Sequence, residues 1–224
     1  MKDLVNEKKL AAKEAVKLLA DNQIVGLGSG SSATFAIIEI GNLVKQGLKI
    51  QGVATSEKTA ELARSLNIPL LDIREVDSID ITIDGADEFT TGLDLIKGGG
   101  SFLLKEKVVA SLSKVEIIIA DSSKHVEFLG KFTVPVEVIP YTSGYIIRQL
   151  AKLNGVGKVR LTDGSPLITE EGNYIVDADF GLIQDPAALS AALHELTGIV
   201  EHGLFVKMTN KVIMGHGDST VIFS

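Results

Sequence analysis

The chain has 224 residues, 45% of them hydrophobic, which suits one main domain with a smaller one appended. A net charge of −7 makes the chain a poor non-specific nucleic-acid binder, because such binding depends on basic groups that neutralise phosphates. There is no cysteine, which excludes disulfides, thiolate nucleophiles, iron–sulfur clusters and cysteine-based zinc sites.

The first 22 residues are charged and predict an amphipathic helix, with Leu4, Leu10 and Leu18 close to one face. They contain neither the apolar core nor the cleavage site of a signal peptide. No apolar run approaches the roughly 18 residues that a membrane-spanning helix needs. We therefore expect a cytoplasmic protein with no membrane partner.

Strands and helices then alternate as far as residue 130. The predicted strands are QIVGLG (23–28), KIQGVAT (49–55), NIPLL (67–71), IDITID (79–84) and VEIIIAD (115–121). The predicted helices run from about Thr34 to Gly47, over SEKTAELARSL (56–66) and over FLLKEKVVASLS (102–113). This alternation predicts an α/β fold with a Rossmann-like, mostly parallel sheet flanked by helices.

The pattern changes after residue 130. It gives a strand at VPVEVIP (134–140), a helix over 142–154, strands over 158–162, 163–169 and 173–180, and a helix over 185–196. This β-α-β-β-α-β order predicts a smaller ferredoxin-like α+β domain. We expect GLFVKM (203–208) and KVIMGH (211–216) to rejoin the large sheet or to bridge the domains. The predicted domains are 1–130 plus about 206–224, and 131–205.

Polar residues follow four of the predicted strands. Because ligands bind beyond the carboxyl ends of strands in open α/β sheets, these residues predict one polar site. They are Ser29–Ser32, Thr55–Ser56, Asp84–Glu88 and Asp121–Lys124.

The first of these segments lies in GLGSGSSATF. Glycines let the backbone approach an anion, the helix that follows offers free N–H groups, and Ser29, Ser31 and Ser32 add hydroxyls around Gly30. The segment therefore suits a monophosphate. Two alternatives remain open. One is a dinucleotide fingerprint, disfavoured because no acidic residue follows the second strand, and the other is a turn that binds nothing.

The second segment is Asp84-Gly85-Ala86-Asp87. Two carboxylates in a tight turn can bind sugar hydroxyls, hold a metal or cap a helix. We expect no metal, because no histidine or third carboxylate is nearby to complete a shell. The four histidines, at positions 125, 194, 202 and 216, form no paired ligand motif either.

Lys97-Gly98-Gly99-Gly100 precedes the helix that carries Glu106. Three glycines cost chain entropy, which suggests backbone N–H groups directed at a ligand oxygen, with Lys97 adding positive charge for an enediolate. The alternative is a flexible loop. Read alone, Glu106 lies on a solvated helix face between two lysines, and Lys124 is a surface lysine. Only their positions make them candidates.

The segments GLGSGSSATF, DGADE, IKGGGSFLLKEK, IADSSK and KFTVPVEVIP resemble, in order and spacing, the type A ribose-5-phosphate isomerase family. The resemblance runs from the N-terminal helix to near the C-terminus. It implies Rossmann-like and ferredoxin-like domains, a homodimer or homotetramer, and no cofactor. It also implies interconversion of D-ribose 5-phosphate and D-ribulose 5-phosphate, a step of the non-oxidative pentose phosphate pathway.

The resemblance also implies roles for residues. Glu106 matches the catalytic base, Lys97 would stabilise the enediolate, and Asp84 or Asp87 would assist ring opening. The substrate-binding positions are Ser29, Gly30, Ser31, Ser32, Asp84, Gly85, Ala86, Asp87, Lys97, Gly98, Gly99, Gly100 and Lys124. The first loop reads Ser-Gly-Ser-Ser where the family has Thr-Gly-Ser-Thr, a difference that keeps the hydroxyls.

Three rival functions fit the same fold. A sugar-phosphate sensor of a transcription regulator needs a DNA-binding module, and the 22 N-terminal residues are too few for one. A CoA transferase or an amino-sugar-phosphate isomerase would not combine DGADE with KGGG and the glutamate. A nicotinamide-dependent oxidoreductase needs the missing acidic residue.

Overall fold

The computed structural model describes residues 3–224, which form two compact units. The α/β unit comprises the chain up to Ala86, Lys105–His125 and Met208–Ser224, and the α+β unit comprises Asp87–Leu104 and Val126–Lys207. Segment 87–104, which the sequence placed with the first domain, thus belongs to the second unit. The reason is pairing, because its two short strands form a sheet with residues 204–205.

Six α-helices lie within the described residues, and none is long and apolar enough to cross a membrane. They are α1 (Leu4–Val16), α2 (Gly30–Lys45), α3 (Glu57–Ser65), α4 (Leu103–Leu112), α5 (Ser143–Lys152) and α6 (Pro186–His194). Helix α6 has an aspartate cap, since Asp185 Oδ1 accepts from the Ala188 N–H (2.9 Å), and Pro186 opens the helix.

The strands fall into a six-stranded, a four-stranded, a three-stranded and a two-stranded sheet. They are β1 (Gln23–Leu27), β2 (Ile50–Ala54), β3 (Ile81–Gly85), β4 (Glu88–Phe89), β5 (Leu95–Ile96), β6 (Glu116–Asp121), β7 (Val134–Val138), β8 (Val156–Val159), β9 (Leu161–Thr162), β10 (Ser165–Pro166), β11 (Tyr174–Asp179), β12 (Ile199–His202), β13 (Leu204–Phe205), β14 (Lys211–His216) and β15 (Ser219–Phe223).

The α/β unit contains the six-stranded sheet, in the order β15-β14-β6-β3-β1-β2. All neighbouring pairs are parallel except β14 with β15, which confirms the mostly parallel sheet predicted from the sequence. In the sheet, the next two strands of the sequence lie on opposite sides of β1, with β2 on one side and β3 on the other. The strand order therefore reverses beside β1, the position at which open α/β sheets bind ligands.

One prediction for this sheet was wrong, and one of its strands was missed. NIPLL makes a single bridge, from Leu70 to Gly52, because Pro69 has no N–H to donate to a ladder. The edge strand β15 was not predicted at all. KVIMGH does rejoin the large sheet, as β14 between β6 and β15.

The α+β unit contains the four-stranded antiparallel sheet, in the order β12-β7-β11-β8. Valines 134, 136 and 138 alternate onto one face of β7 and are fully buried with Ile146 and Leu150 of α5. The order and the two helices match the ferredoxin-like arrangement. Its last strand, β12, was not predicted. Within GLFVKM, which was expected to rejoin the large sheet or to bridge the domains, only Leu204 and Phe205 form a strand, and it pairs with β5.

Glu137 is a fully buried carboxyl in the middle of β7. Its Oε1 accepts from Thr169 Oγ1 (2.9 Å) and Asn173 Nδ2 (3.0 Å), while Oε2 has no partner among the described residues. Burial raises the pKa of the Glu137 carboxyl, the two hydrogen bonds oppose that rise, and the nearby charges of Glu171 and Glu201 add to it.

A raised pKa makes Glu137 a source of pH-dependent stability. The folded protein holds this proton more tightly than the unfolded chain, so stability is lost as pH rises above about 4.3 and through the folded pKa. We expect Glu137→Gln to gain unfolding free energy relative to the parent protein as pH is raised over that window. Urea unfolding at a series of pH values measures the difference. Glu195→Gln, which removes an exposed carboxylate of the same unit, is the matched control, and a difference independent of pH would contradict the prediction.

Candidate active site

The carboxyl ends of β1 and β3 are held together by Asp84. Its Oδ1 accepts from the N–H of Ser29 (3.0 Å) and from that of Gly85 (2.7 Å), and its side chain is buried. Gly28 packs directly on it, since a Cβ at Gly28 would lie 2.0 Å from Asp84 Oδ1. The glycine in the first loop is therefore required by the carboxylate of the second segment.

The Ser29 hydroxyl joins the ends of β1 and β2. Its Oγ lies 2.8 Å from both Thr55 Oγ1 and Ser56 Oγ and 3.2 Å from Thr59 Oγ1, and Thr59 Oγ1 in turn donates to the Gly28 carbonyl (2.9 Å). The backbone N–H and the hydroxyl of Ser29, the two groups that could donate to a ligand, are thus already hydrogen-bonded within the unit. Thr59 was not among the predicted residues, because it lies one turn inside a helix and no motif distinguishes it.

Helix α2 begins at Gly30, four residues before the predicted start. Gly30 has a φ of +88°, which glycine adopts without strain, and this turns the chain from β1 into the helix. Ser31 and Ser32 therefore belong to the first turn, whose N–H groups have no partner inside the helix. The serine loop is itself a helix N-terminus, the element that best accepts a phosphate.

Lys8 is a cation that the sequence motifs missed. Its Nζ lies 3.0 Å from Ser31 Oγ and 3.6 Å from Asp121 Oδ2, at the end of β6. Its neighbour Glu7 is buried and accepts from the N–H groups of Ser122 (2.8 Å) and Gly217 (2.9 Å), which fixes α1 beside these strand ends. In sequence, Lys8 is only one of five lysines among the first 22 residues, and its place is set by contacts with distant residues.

Lys124 follows β6 in a tight turn closed by Asp121. Its N–H donates to the Asp121 carbonyl (3.1 Å), and the Asp121 carboxylate accepts from the N–H (3.0 Å) and the hydroxyl of Ser123. The turn keeps Lys124 partly exposed at the same edge of the sheet as Ser31.

Glu106 lies in the first turn of α4 and is buried, with 6% of its surface exposed. Lys107 beside it is 9% exposed. The solvated helix face suggested by the letters LKEKVV is therefore wrong. A carboxylate in a first turn is stabilised by the positive end of the helix dipole, which suits a base that must be ionised.

The α+β unit holds Asp87 and the glycine loop. Asp87 Oδ2 accepts from the Gly99 N–H (2.7 Å), and Oδ1 would be 2.6 Å from a Cβ at Gly99, so a side chain there would displace the Asp87 carboxylate. Gly98 has a φ of +99°. The glycine loop is thus hydrogen-bonded to Asp87 and is not the flexible loop that was the alternative interpretation of the sequence.

Lys97 is buried at the end of β5, with 2% of its surface exposed. Its N–H donates to the Gly203 carbonyl (2.9 Å), and its Nζ lies 5.5 Å from the centre of the Phe205 ring. An aromatic face stabilises a cation electrostatically. The last residue of DGADE, Glu88, has a structural role, since its carboxylate accepts from the N–H groups of Gly130 (2.8 Å) and Phe132 (2.6 Å).

Two histidines that seemed scattered in sequence meet in the α+β unit. His194, Glu201 and His202 place their ligand atoms within 4.8 Å of one another. The Leu204 N–H donates to His202 Nδ1 (3.3 Å), which leaves the ring proton on Nε2, the atom that faces Ser190 and Glu201. A metal-bound histidine donates from its other nitrogen, so this arrangement does not favour a metal.

The predicted residues are divided between the units. The α/β unit holds Glu106, Lys124, Ser29–Ser32 and Asp84–Ala86, and the α+β unit holds Asp87 and Lys97–Gly100. Within the first, Ser29 and Asp84 are in direct contact, as are Asp87 and Gly99 within the second.

Comparison with known proteins gives one consistent result. A family model described as ribose 5-phosphate isomerase A (phosphoriboisomerase A) matches residues 51–219. The ribose-5-phosphate isomerase A of Streptococcus agalactiae serotype III (strain NEM316) is 48% identical over 208 residues, covering 92% of this chain and 93% of its own. That of Sphingopyxis alaskensis is 43% identical over 218 residues, covering 97% and 96%.

Solved structures agree with the sequence relatives. A D-ribose-5-phosphate isomerase in complex with phospho-erythronic acid has a TM-score of 0.96 at 36% identity and covers 98% of both chains. Ribose 5-phosphate isomerase A from Methanocaldococcus jannaschii has a TM-score of 0.92 at 40% identity and covers 96% of both chains.

Proposed function

Since the chain belongs to the ribose 5-phosphate isomerase A family, we propose that it interconverts ribose 5-phosphate and ribulose 5-phosphate with Glu106 as the base. It is an aldose–ketose isomerase, and the observation that carries this is the likeness over nearly the whole chain. The sugar-phosphate sensor, the rival on the same fold, is not favoured. The roles below are assigned from the geometry of each residue.

Glu106 moves the proton. It takes the proton from C2 of the open-chain aldose, which leaves a cis-enediolate, and returns it to C1, while the proton of the O2 hydroxyl passes to O1. Its burial supports this role, because shielding from water slows the exchange of the carried proton with bulk solvent without preventing it.

Lys97 stabilises the charge that the enediolate oxygen gains. A buried ammonium acts more strongly than one in water, because the local dielectric is low. The Gly99 N–H is already donated to Asp87, so the glycine donors left for a substrate oxygen are those of Gly98 and Gly100, and we assign that of Gly100 to the role.

The two aspartates have different surroundings. Asp84 is buried and holds Ser29 and Gly85, whereas Asp87 is partly exposed. We therefore assign ring opening, by proton exchange with the ring oxygen, to Asp87. Asp84, Gly85 and Ala86 shape the turn against which the sugar lies.

The phosphate binds at the first turn of α2. The hydroxyls of Ser31 and Ser32 and the N–H groups of that turn donate hydrogen bonds to it. Lys8 and Lys124 supply positive charge, and Ser29 and Gly30 hold the loop in place. The related structure in complex with phospho-erythronic acid supports an anionic sugar-phosphate ligand. Anchoring the far end of the substrate supplies positioning at the reacting carbons.

Removing the Lys8 charge should weaken substrate binding without touching the chemistry. We expect Lys8→Met to raise KM about tenfold and to leave kcat within about threefold, because one charge-assisted contact is worth about 1.5–3 kcal/mol. Steady-state kinetics over ribose 5-phosphate concentration measures both. Lys13→Met, an exposed lysine of the same helix, is the control. An unchanged KM would remove Lys8 from the phosphate site.

Self-association is part of the proposal. Large apolar side chains of the α+β unit are exposed, with Tyr141 at 96% and Ile168 at 66%, as expected of a surface that a second copy covers. Light scattering should give a multiple of the 23.8 kDa chain mass, and a monomer at assay concentration would contradict this. The cytoplasmic location expected from the sequence stays a prediction that cell fractionation can test.

The deciding experiment uses the purified chain with ribose 5-phosphate, EDTA and no nucleotide. Formation of ketose, followed by colorimetry or NMR, is the expected result, and the exchange of the C2 hydrogen for deuterium in heavy water identifies the enediolate. Absence of turnover under these conditions would overturn the isomerase assignment.

A further inference from the structure

Arg160 lies in the α+β unit, between β8 and β9, and its side chain is mostly buried, whereas the other three arginines are exposed. Its Nη1 donates to the carbonyls of Gly98 (3.0 Å) and Gly99 (3.1 Å) and to Ser101 Oγ (2.8 Å). One guanidinium nitrogen therefore holds both internal peptide groups of the glycine loop.

Arg160 is itself held by Asp177 of β11. Its Nε donates to Asp177 Oδ2 (2.9 Å) and its Nη2 to Oδ1 (2.5 Å), a bidentate pair that fixes the plane of the guanidinium. Ordering the long arginine side chain costs rotamer entropy, and the two charge-assisted hydrogen bonds to Asp177 offset that cost. The pair thus makes a rigid support, anchored on the sheet, beneath a loop of three glycines.

The Gly98–Gly99 peptide lies between Arg160 and Asp87. Its carbonyl accepts from the Arg160 cation, and its N–H donates to Asp87 Oδ2 (2.7 Å). A cation at the carbonyl polarises the peptide, which strengthens the donation of its N–H to the carboxylate.

The next peptide, Gly99–Gly100, is oriented by the same nitrogen. In a trans peptide the C=O and N–H bonds point in opposite directions, and the chain has no cis bonds among its described residues. With the Gly99 carbonyl bonded to Arg160, the Gly100 N–H is turned to the other side of the loop. That N–H is the donor assigned above to the substrate oxygen.

We propose that Arg160 is a positioning residue for the isomerase reaction, which acts on Asp87 and on the Gly100 N–H through the two peptides it binds. The inference rests on the proposed function, since it concerns two groups to which that function gives roles. Arg160 does not touch substrate. A guanidinium is needed because no other side chain can hold two carbonyls, a hydroxyl and a carboxylate at once.

The test compares Arg160→Met with the parent protein in the ribose 5-phosphate assay. Methionine keeps the aliphatic length and removes every donor. We expect kcat to fall about 10- to 100-fold, the range for a small misplacement of catalytic groups, with KM nearly unchanged because the phosphate contacts lie elsewhere. The exposed Arg148→Met is the matched control and should keep both constants.

Two further measurements separate positioning from a general loss of structure. The melting temperature reports folding, and added guanidinium ion at non-denaturing concentration should partly restore kcat in Arg160→Ala but not in Glu106→Gln. Should Arg160→Met fail to fold, Arg160→Lys replaces it. Lysine keeps the charge but not the fork, so kcat should still fall.

Each outcome has one meaning. If a folded Arg160 variant keeps the parental kcat, the inference about Arg160 is wrong. The proposed function is not affected by that result, because the parent protein still turns over ribose 5-phosphate. A fall in kcat that is matched by an equal loss of folded protein, with no rescue, also overturns it. If the parent protein does not turn over ribose 5-phosphate, the proposed function fails and this inference with it.

Discussion

Glu106→Gln should lower kcat about 10³-fold and leave KM within about threefold. Glutamine has the same shape and can keep hydrogen bonds, but it cannot accept the C2 proton, and general-base catalysis typically contributes 10²–10⁴-fold. Glu106 is buried in the first turn of α4, and the substitution leaves no cavity there. The substrate should therefore still bind.

Steady-state kinetics and C2-hydrogen exchange with deuterated solvent measure the two parts of this prediction. Exchange should fall together with kcat, because both need the proton to leave C2. Glu61→Gln, on the exposed side of α3, is the control for removing a helical carboxylate. A kcat within tenfold of the parent value would exclude Glu106 as the base.

Gly28→Ala should both destabilise the protein and reduce its activity. The added Cβ would lie 2.0 Å from Asp84 Oδ1 and 2.6 Å from Asp84 Cα, so the ends of β1 and β3 must separate. Forcing one extra carbon into a well-packed core typically costs about 1–3 kcal/mol. For a chain of this length we expect the melting temperature to fall by about 5 °C or more.

The activity loss from Gly28→Ala has a separate cause. Asp84 holds the Ser29 N–H, and Ser29 begins the loop that leads into the phosphate-binding turn of α2. Displacing Asp84 therefore moves both ends of that loop, and kcat/KM should fall about 100-fold. Gly92→Ala, in an exposed turn with no atom closer than 3.6 Å to the new Cβ, should change neither quantity. If Gly28→Ala keeps the melting temperature and the kcat/KM of the parent protein, the close contact between Gly28 and Asp84 is contradicted.

Much of the fold could be predicted because its main elements carry strong local patterns. β6 is an unbroken apolar strand, α6 has an aspartate cap followed by proline, and both were placed correctly from the sequence. Most of the elements that were missed are short or irregular. β4 and β5 have two residues each, and β12 carries a bulge between Ile199 and Glu201. Such strands exist only through pairing with distant segments, which no local period reports.

The site divides in the same way. The rule that polar residues gather at strand ends was enough to select Ser29–Ser32, Asp84–Asp87 and Lys124 from the sequence. It could not select Lys8 or Arg160, because each reaches its partners across a large sequence separation, from Lys8 to Ser31 and Asp121, and from Arg160 to Gly98. Glu106 became a candidate only through its position after the glycine loop, and the resemblance then implied that it is the base. Its burial depends on packing that the letters LKEKVV do not show.

The sequence by itself determined the chemical inventory of this protein: no thiol, few aromatic side chains, an acidic surface, and carboxylates, hydroxyls and glycines placed after strands. The tertiary structure decided how those groups act. In the folded protein, Ser29 and Asp84 hydrogen-bond to each other, and Gly30 is the first residue of a helix. Glu106 is buried, and the glycine loop is hydrogen-bonded to both Arg160 and Asp87. The physical reason is that a residue's type is local, whereas its burial and its hydrogen-bond partners are supplied by segments far away in the chain.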